Sequence, residues 1–160
     1  MPELVVPAAG LLLSMSKARE RTTWTAFNEQ LIADMRAHEG KPTTGPFLGR
    51  PVLILTTIGA RSGQPRETPL VYTTDGDRLV VIASKGGAPT NPDWYRNLVA
   101  NPAVTVELLG ETYRARAQVT EGDERERLFR NQADQMPSFY DYQRRTTRQI
   151  PVIALERMTG

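Results

Sequence analysis

Apolar positions along this chain recur first at a helical period and then at a period of two. Trp24, Phe27, Leu31 and Met35 are spaced by three and four, which predicts one apolar stripe on a helix reaching about Ala37, with Gly40 as its stop. Thr22 or Thr23 is the expected cap, Lys17 to Arg21 a charged connector before it, and the stripe should lie on a sheet. Residues 39–50 read as a Gly- and Pro-rich loop. Pro51 to Thr57 is an unbroken, branched apolar run too short for a typical helix, the signature of a buried strand. A second strand is expected from about Arg66 to Thr73. Asp75-Gly76 is a tight-turn pair, which makes Asp77 to Ala83 the next antiparallel partner in a meander.

A short helix follows, with Asn91 as N-cap and Pro92 at its first position, ending at Asn101-Pro102. Next comes a hairpin with Gly110-Glu111 near its tip. In its second arm Tyr113, Ala115, Ala117 and Val119 form an apolar face, and Thr112, Arg114, Arg116 and Gln118 a polar one. Thr120 with Asp123 resembles a capping box opening a charged surface helix from about Gly122 to Ala133, anchored by Leu128, Phe129 and Ala133. A loop with Phe139, Tyr140 and Tyr142 leads past Arg144, Arg145 and Arg148 to a last strand, Ile150 to Leu155. Six strands, hairpin links and few helical crossovers predict a mainly β (α+β) fold, an antiparallel barrel with peripheral helices.

Composition narrows the chemistry. The chain has 160 residues, enough for one domain with a real core. The expected division is a lead over residues 1–21 and a barrel domain over 22–160. With no cysteine, disulfides, thiolate metal sites and a cysteine nucleophile are excluded. His38 is the single histidine, near a helix end where a cation is ordinary. A net charge of +2 does not by itself imply nucleic acid. No segment reaches the roughly 20 apolar residues of a membrane span. Residues 4–15 are apolar but broken by Pro7 and Gly10, and peripheral membrane contact through them stays open, with cytoplasmic residence as the default.

Three stretches carry candidate chemistry. In Ser84 to Asn97, Gly86 and Gly87 let the backbone turn its amides to a ligand, Lys85 adds a cation, and Trp94 and Tyr95 offer flat surfaces. A plain strand-to-helix connection with two core aromatics is the competing reading. In Thr56 to Arg66, Gly59 and Gly63 free the backbone, Thr57 and Ser62 offer hydroxyls, and Arg61 and Arg66 suit phosphate or carboxylate. It lacks the Lys-Ser/Thr pair of a Walker loop, and a solvated hairpin turn is the alternative. In the third stretch, around Phe139 to Tyr142, a Tyr hydroxyl could orient or protonate an acceptor, or simply pack.

All three stretches occur together and in order: PVLILTTIGARSGQPRETPL, VVIASKGGAPTNPDWYRNLVANPAVTV and YDYQRRTTRQIPVIAL. Over residues 42–156 the chain resembles the deazaflavin-dependent nitroreductase family. That resemblance implies a split β-barrel and coenzyme F420, an 8-hydroxy-5-deazaflavin, as cofactor. It also implies that Arg61, Ser62, Gly63 and Arg66 hold the phosphate and the start of the polyglutamate tail. Ser84, Lys85, Gly86 and Gly87, with Asn91, Pro92 and Trp94, would line the ring and its side chain, with Tyr142 over the acceptor pocket. Met136 and Phe139 stand where some relatives carry tyrosine, which implies a drier acceptor side.

The expected function is hydride transfer from the reduced coenzyme to an electron-poor small molecule, a quinone, enone or nitroaromatic. Ser84 and Tyr142 are the candidate catalytic hydrogen-bonding groups, and pairing into a homodimer stays open. A non-catalytic module holding the same coenzyme would share every cradle residue. A single-stranded nucleic-acid binder would need regularly spaced strand aromatics, which are missing, so no nucleic-acid partner is expected.

Overall fold

The computed structural model describes residues 13–159, with side chains described from residue 25. In chain order the elements are α1 (Leu13–Ala37), β1 (Val52–Ile58), β2 (Pro65–Val71), β3 (Thr73–Asp75), β4 (Arg78–Ile82) and a single 3-10 turn (Lys85–Gly87). Then follow α2 (Asp93–Ala100), β5 (Ala103–Leu108), β6 (Glu111–Val119), α3 (Gly122–Gln135), α4 (Ser138–Arg144) and β7 (Val152–Arg157).

All pairings are antiparallel, in the order β2-β1-β5-β6-β7-β4-β3. The two ends of that order, β2 and β3, are consecutive in the chain with only Tyr72 between them. The sheet therefore curls until its edges are joined through the chain, which leaves few free backbone groups at an edge. The strand expected from Arg66 to Thr73 divides at this point, because one half pairs with β1 and the other with β4. The two expected hairpins are present, but the meander is split by this change of partner.

Period and burial agree. On β1, Leu53 and Leu55 face the barrel interior with Leu79, Val81, Val104, Val106, Ile153 and Leu155. Val52 and Ile54 point the other way, onto Leu31, Ile32 and Met35 of α1. A strand covered on both faces has no polar face to show, hence the unbroken apolar run. β4 behaves likewise: Val80 and Ile82 meet Leu128, Phe129, Ala133 and Phe139 of α3 and α4. β6 is covered on one face, with Ala115 and Ala117 buried and Thr112, Arg114, Arg116 and Gln118 exposed. Each fully buried leucine or isoleucine here contributes roughly 1.5–3 kcal/mol relative to exposure.

Several element boundaries differ from expectation. α1 is continuous through residue 21, so Lys17 to Arg21 is helix and neither Thr22 nor Thr23 caps it. The Trp24 side chain and most of the apolar 4–15 segment lie outside the described residues. Thr120 caps nothing: its hydroxyl donates to the Val152 carbonyl at 2.8 Å, and Glu121 is the N-cap of α3. The aromatic loop is a helix, α4, because Phe139 packs inward and Tyr142 sets its ring edge-on to it at 5.5 Å. No described helix is long and apolar enough to cross a membrane.

Candidate functional site

The first basic bend joins β1 to β2. Gly59 donates to the Gln64 carbonyl at 2.8 Å and Gly63 to the Gly59 carbonyl at 2.9 Å, which ties off a compact turn. Ser62 Oγ accepts the Gln64 amide at 3.1 Å and a longer contact from Arg66 at 3.4 Å. Arg61, Ser62, Gly63 and Arg66 are all exposed. Neither arginine meets a carboxylate among the described residues, so both forks are available to an anion. Thr57 does not belong with them: it is fully buried, and its hydroxyl accepts Asn97 Nδ2 at 3.1 Å. Its expected coenzyme contact is corrected to a supporting one, because inward alternation on β1 turns it away from solvent.

The second bend follows β4. Ser84 is right-handed, with φ −75° and ψ −40°, whereas Lys85 and Gly86 have φ of +48° and +64°. This right-to-left alternation points successive amides into one concavity, the arrangement that binds anions. The bend closes with Gly87 donating to the Ser84 carbonyl at 2.9 Å and Ala88 to the Lys85 carbonyl at 3.1 Å. Among the described residues, the amides of Ser84, Lys85 and Gly86 find no acceptor. Among the described residues the Lys85 ammonium meets only the Thr90 hydroxyl, at 3.2 Å. Ser84 Oγ and the Tyr142 hydroxyl likewise make no hydrogen bond among the described residues.

Helix α2 ties the two bends together. It starts five residues after the second bend ends at Ala88, and its Asn97 reaches the first, where Oδ1 accepts the Ala60 amide at 2.9 Å. Three expectations for this region are corrected. Pro92, not Asn91, is the N-cap, because Asn91 Oδ1 is taken by the Arg148 guanidinium at 2.7 Å. Pro92 itself is buried. Trp94 packs in the barrel core, 7 % exposed, so its ring supports α2 rather than walling an open groove.

On the far side of the second bend stands α4. A Cβ built on Gly87 would lie 2.7 Å from the Tyr142 carbonyl oxygen and 2.8 Å from Arg145 Cβ, so helix and bend touch backbone to backbone. The Arg145 guanidinium donates to the Gly86 carbonyl at 3.3 Å and sits 5.6 Å from the Tyr142 ring centre. Met136 and Phe139, the positions expected to dry the acceptor side, are buried between α4 and β4.

Sequence reasoning passed over Asn97, Arg145 and Arg148. For Asn97 a signal existed: it falls three residues after Trp94 and next to Leu98, a polar group on the buried face of an amphipathic helix. Nothing in the run Arg144, Arg145, Arg148 distinguishes the arginine that turns inward. Burial holds the Arg148 guanidinium below its ordinary pKa, and it remains a cation. Elsewhere, a depression of about 580 Å3 runs past Asp123, Glu126, Arg127, Arg130, Asn131 and Asp134. All six lie on α3, so it is the open side of one charged helix and shares nothing with the bends.

Residues 29–157 match the family model for F420H(2)-dependent quinone reductase. An F420H(2)-dependent quinone reductase of Mycobacterium tuberculosis (strain ATCC 25618 / H37Rv) is 40 % identical over 110 residues, 67 % of this chain and 74 % of that protein. A solved F420-H2 dependent reductase, FDR-A, is 38 % identical with a TM-score of 0.62, over 67 % of this chain and 95 % of that one. A second solved chain, described as a domain-swapped dimer, is 32 % identical with a TM-score of 0.64, over 85 % of this chain and 99 % of that one. These matches bear out the antiparallel split barrel with peripheral helices.

Proposed function

Because the chain belongs to the F420H(2)-dependent quinone reductase family, we propose that it is an oxidoreductase passing a hydride from reduced coenzyme F420 to a quinone. One observation supports the assignment of residues most directly. Two bends linked through α2 present Arg61, Arg66, Lys85 and three amides that meet no acceptor and no carboxylate among the described residues. That donor set fits a long polyanion with a carbonyl-rich ring at one end.

In this reading Arg61, Ser62, Gly63 and Arg66 hold the phosphate and the start of the acidic tail. The amides of Ser84, Lys85 and Gly86 receive carbonyl or anionic oxygens of the ring portion. When bound, the reduced deazaflavin supplies a hydride from its C5 position. The protein's share is to fix ring and acceptor in contact and to meet the charge that develops on the acceptor oxygen. Ser84 Oγ, on the bend, and the hydroxyl of Tyr142, whose backbone rests against Gly87, are donors without a partner among the described residues, and we assign them to that oxygen. Arg145, seated over the Tyr142 ring, adds positive potential on the same side. A paired assembly is also proposed, on the strength of the relative described as a domain-swapped dimer.

The test is anaerobic. Purified protein is titrated with coenzyme F420 by fluorescence, and the reduced coenzyme is then mixed with a short-chain menaquinone analogue while its absorbance is followed. Quenching with saturation and quinone-dependent reoxidation are expected. Saturable binding without reoxidation across quinones, enones and nitroaromatics would replace the enzyme with a holding module.

A further inference from the structure

We propose that Arg148 is a positioning residue for this site, holding the Ser84–Asn91 segment in the conformation that leaves its amides free for the coenzyme. The inference rests on the functional reading above. It concerns a residue whose guanidinium meets carbonyls of the bend and the Asn91 side chain, not the amides or hydroxyls assigned to coenzyme and acceptor.

The Arg148 guanidinium spends its donors on one loop. Nε donates to the Ala88 carbonyl at 2.9 Å, Nη2 to the Ser84 carbonyl at 2.8 Å, and Nη1 to Asn91 Oδ1 at 2.7 Å and the Ala83 carbonyl at 3.3 Å. These acceptors lie before, within and after the bend. A planar fork with five fixed donors can hold several carbonyls at once, whereas an ammonium is a single point charge. By engaging the Ala83 and Ser84 carbonyls, Arg148 fixes the two peptide planes whose opposite sides carry the Ser84 and Lys85 amides. No carboxylate among the described residues pairs with it, so its charge is met by carbonyl dipoles and adds to the positive potential under the bend.

Arg148 is itself held in place. Its carbonyl accepts Gln143 Nε2 at 2.8 Å, and Gln143 Oε1 accepts the Ile150 amide and an Arg125 Nη2, both at 3.0 Å. Arg125 is 4 % exposed and donates to the Ile150 carbonyl at 2.6 Å. A continuous set of hydrogen bonds thus runs from α3 through α4 to the bend. Its members are far apart in sequence, so they act together only in the folded chain.

The experiment uses the full chain and Arg148→Ala, with Arg148→Lys as a second variant that keeps the charge and stem. Coenzyme F420 affinity is measured by fluorescence titration, and amide hydrogen exchange is followed without coenzyme. Both variants should lose at least tenfold in affinity. Exchange at Gly87 and Ala88, the hydrogen-bonded amides of the bend, should quicken at least tenfold, with β1, β5 and β6 as protected as in the parent. Millimolar methylguanidinium should restore part of the affinity to Arg148→Ala and none to a variant that is merely destabilised. Affinity within twofold of the parent in either folded variant, or unchanged exchange at Gly87 and Ala88, overturns the proposal. Should the parent itself fail to bind the coenzyme, the functional reading falls, and the exchange arm alone decides whether Arg148 holds the bend.

Discussion

Asn97 and Thr57 form a buried side-chain pair, Nδ2 to Oγ1 at 3.1 Å, that fastens the middle of α2 to the end of β1. The same amide's oxygen takes the Ala60 amide, so one side chain sets the distance between the helix and the arginine-bearing bend. Replacing Asn97 by alanine leaves the fully buried Thr57 hydroxyl without its donor and the part-buried Ala60 amide without its acceptor, at a cost of about 1–3 kcal/mol. Urea unfolding should report that loss. Coenzyme affinity should fall as well, because the first bend drifts from the second. A variant as stable as the parent would show that water replaces the amide without penalty.

Arg61→Ala and Arg66→Ala should behave in the opposite way. Both side chains are exposed and neither closes an ion pair among the described residues, so each substitution should change stability by no more than about 0.5 kcal/mol. A lost charge-assisted hydrogen bond to a phosphate or carboxylate is worth about 1.5–3 kcal/mol, roughly tenfold or more in Kd. Raising salt should weaken parent binding more than variant binding, because exposed charges are screened. Equal affinity in parent and Arg61→Ala would remove the first bend from the site.

Two adjacent glycines should respond differently to alanine. At Gly87 the new methyl meets the Tyr142 carbonyl and Arg145 side chain in a backbone already at φ +84°, and neither neighbour is the loose end of a side chain. That substitution should cost about 1–3 kcal/mol and shift α4. At Gly86 nothing lies within 4 Å, so only the left-handed conformation counts, about 1 kcal/mol. Thermal unfolding of the two variants side by side distinguishes them. Equal losses would mean that α4 does not rest on the bend.

How much of this could be read from the sequence follows from the same contacts. The alternation in β6 and the two-sided burial of β1 and β4 are local patterns, so strands and barrel class were legible. The two glycine-bearing bends were legible too, as turns, since glycine marks a turn in any fold. What stayed hidden depends on partners far along the chain. Thr57 looked like a ligand until Asn97, forty residues on, took its hydroxyl. Asn91 looked like a helix cap until Arg148 took its side chain. The strand through Tyr72 looked single because only the closed sheet requires it to serve both edges.

Acid should loosen the hairpin that feeds the second bend. Asp75 closes β3 against α3, bonded to Arg127 at 2.9 Å and to Arg78 at 2.6 Å, and Arg78 also reaches Glu124 at 2.8 Å. The hydrogen bond from Arg127, followed by that from Arg78, lowers the Asp75 pKa from 3.8 to about 2. A carboxyl group whose pKa is depressed by folding stabilises the native state above its unfolded value, and that contribution disappears as pH falls through the folded value. The window therefore runs from about pH 4 down to about pH 2. Because the side chain keeps 23 % of its surface in water, screening reduces the effect to the order of 1 kcal/mol. Asp75→Asn should be less stable than the parent by that amount at pH 7, and the gap should narrow as pH is lowered towards 2. Urea midpoints for both proteins at pH 7, 4 and 2.5 measure it. A gap that stays constant across that range would assign the difference to packing at the hairpin, and the ion pairs to α3 would then have no part in holding β3 and β4 beneath the bend.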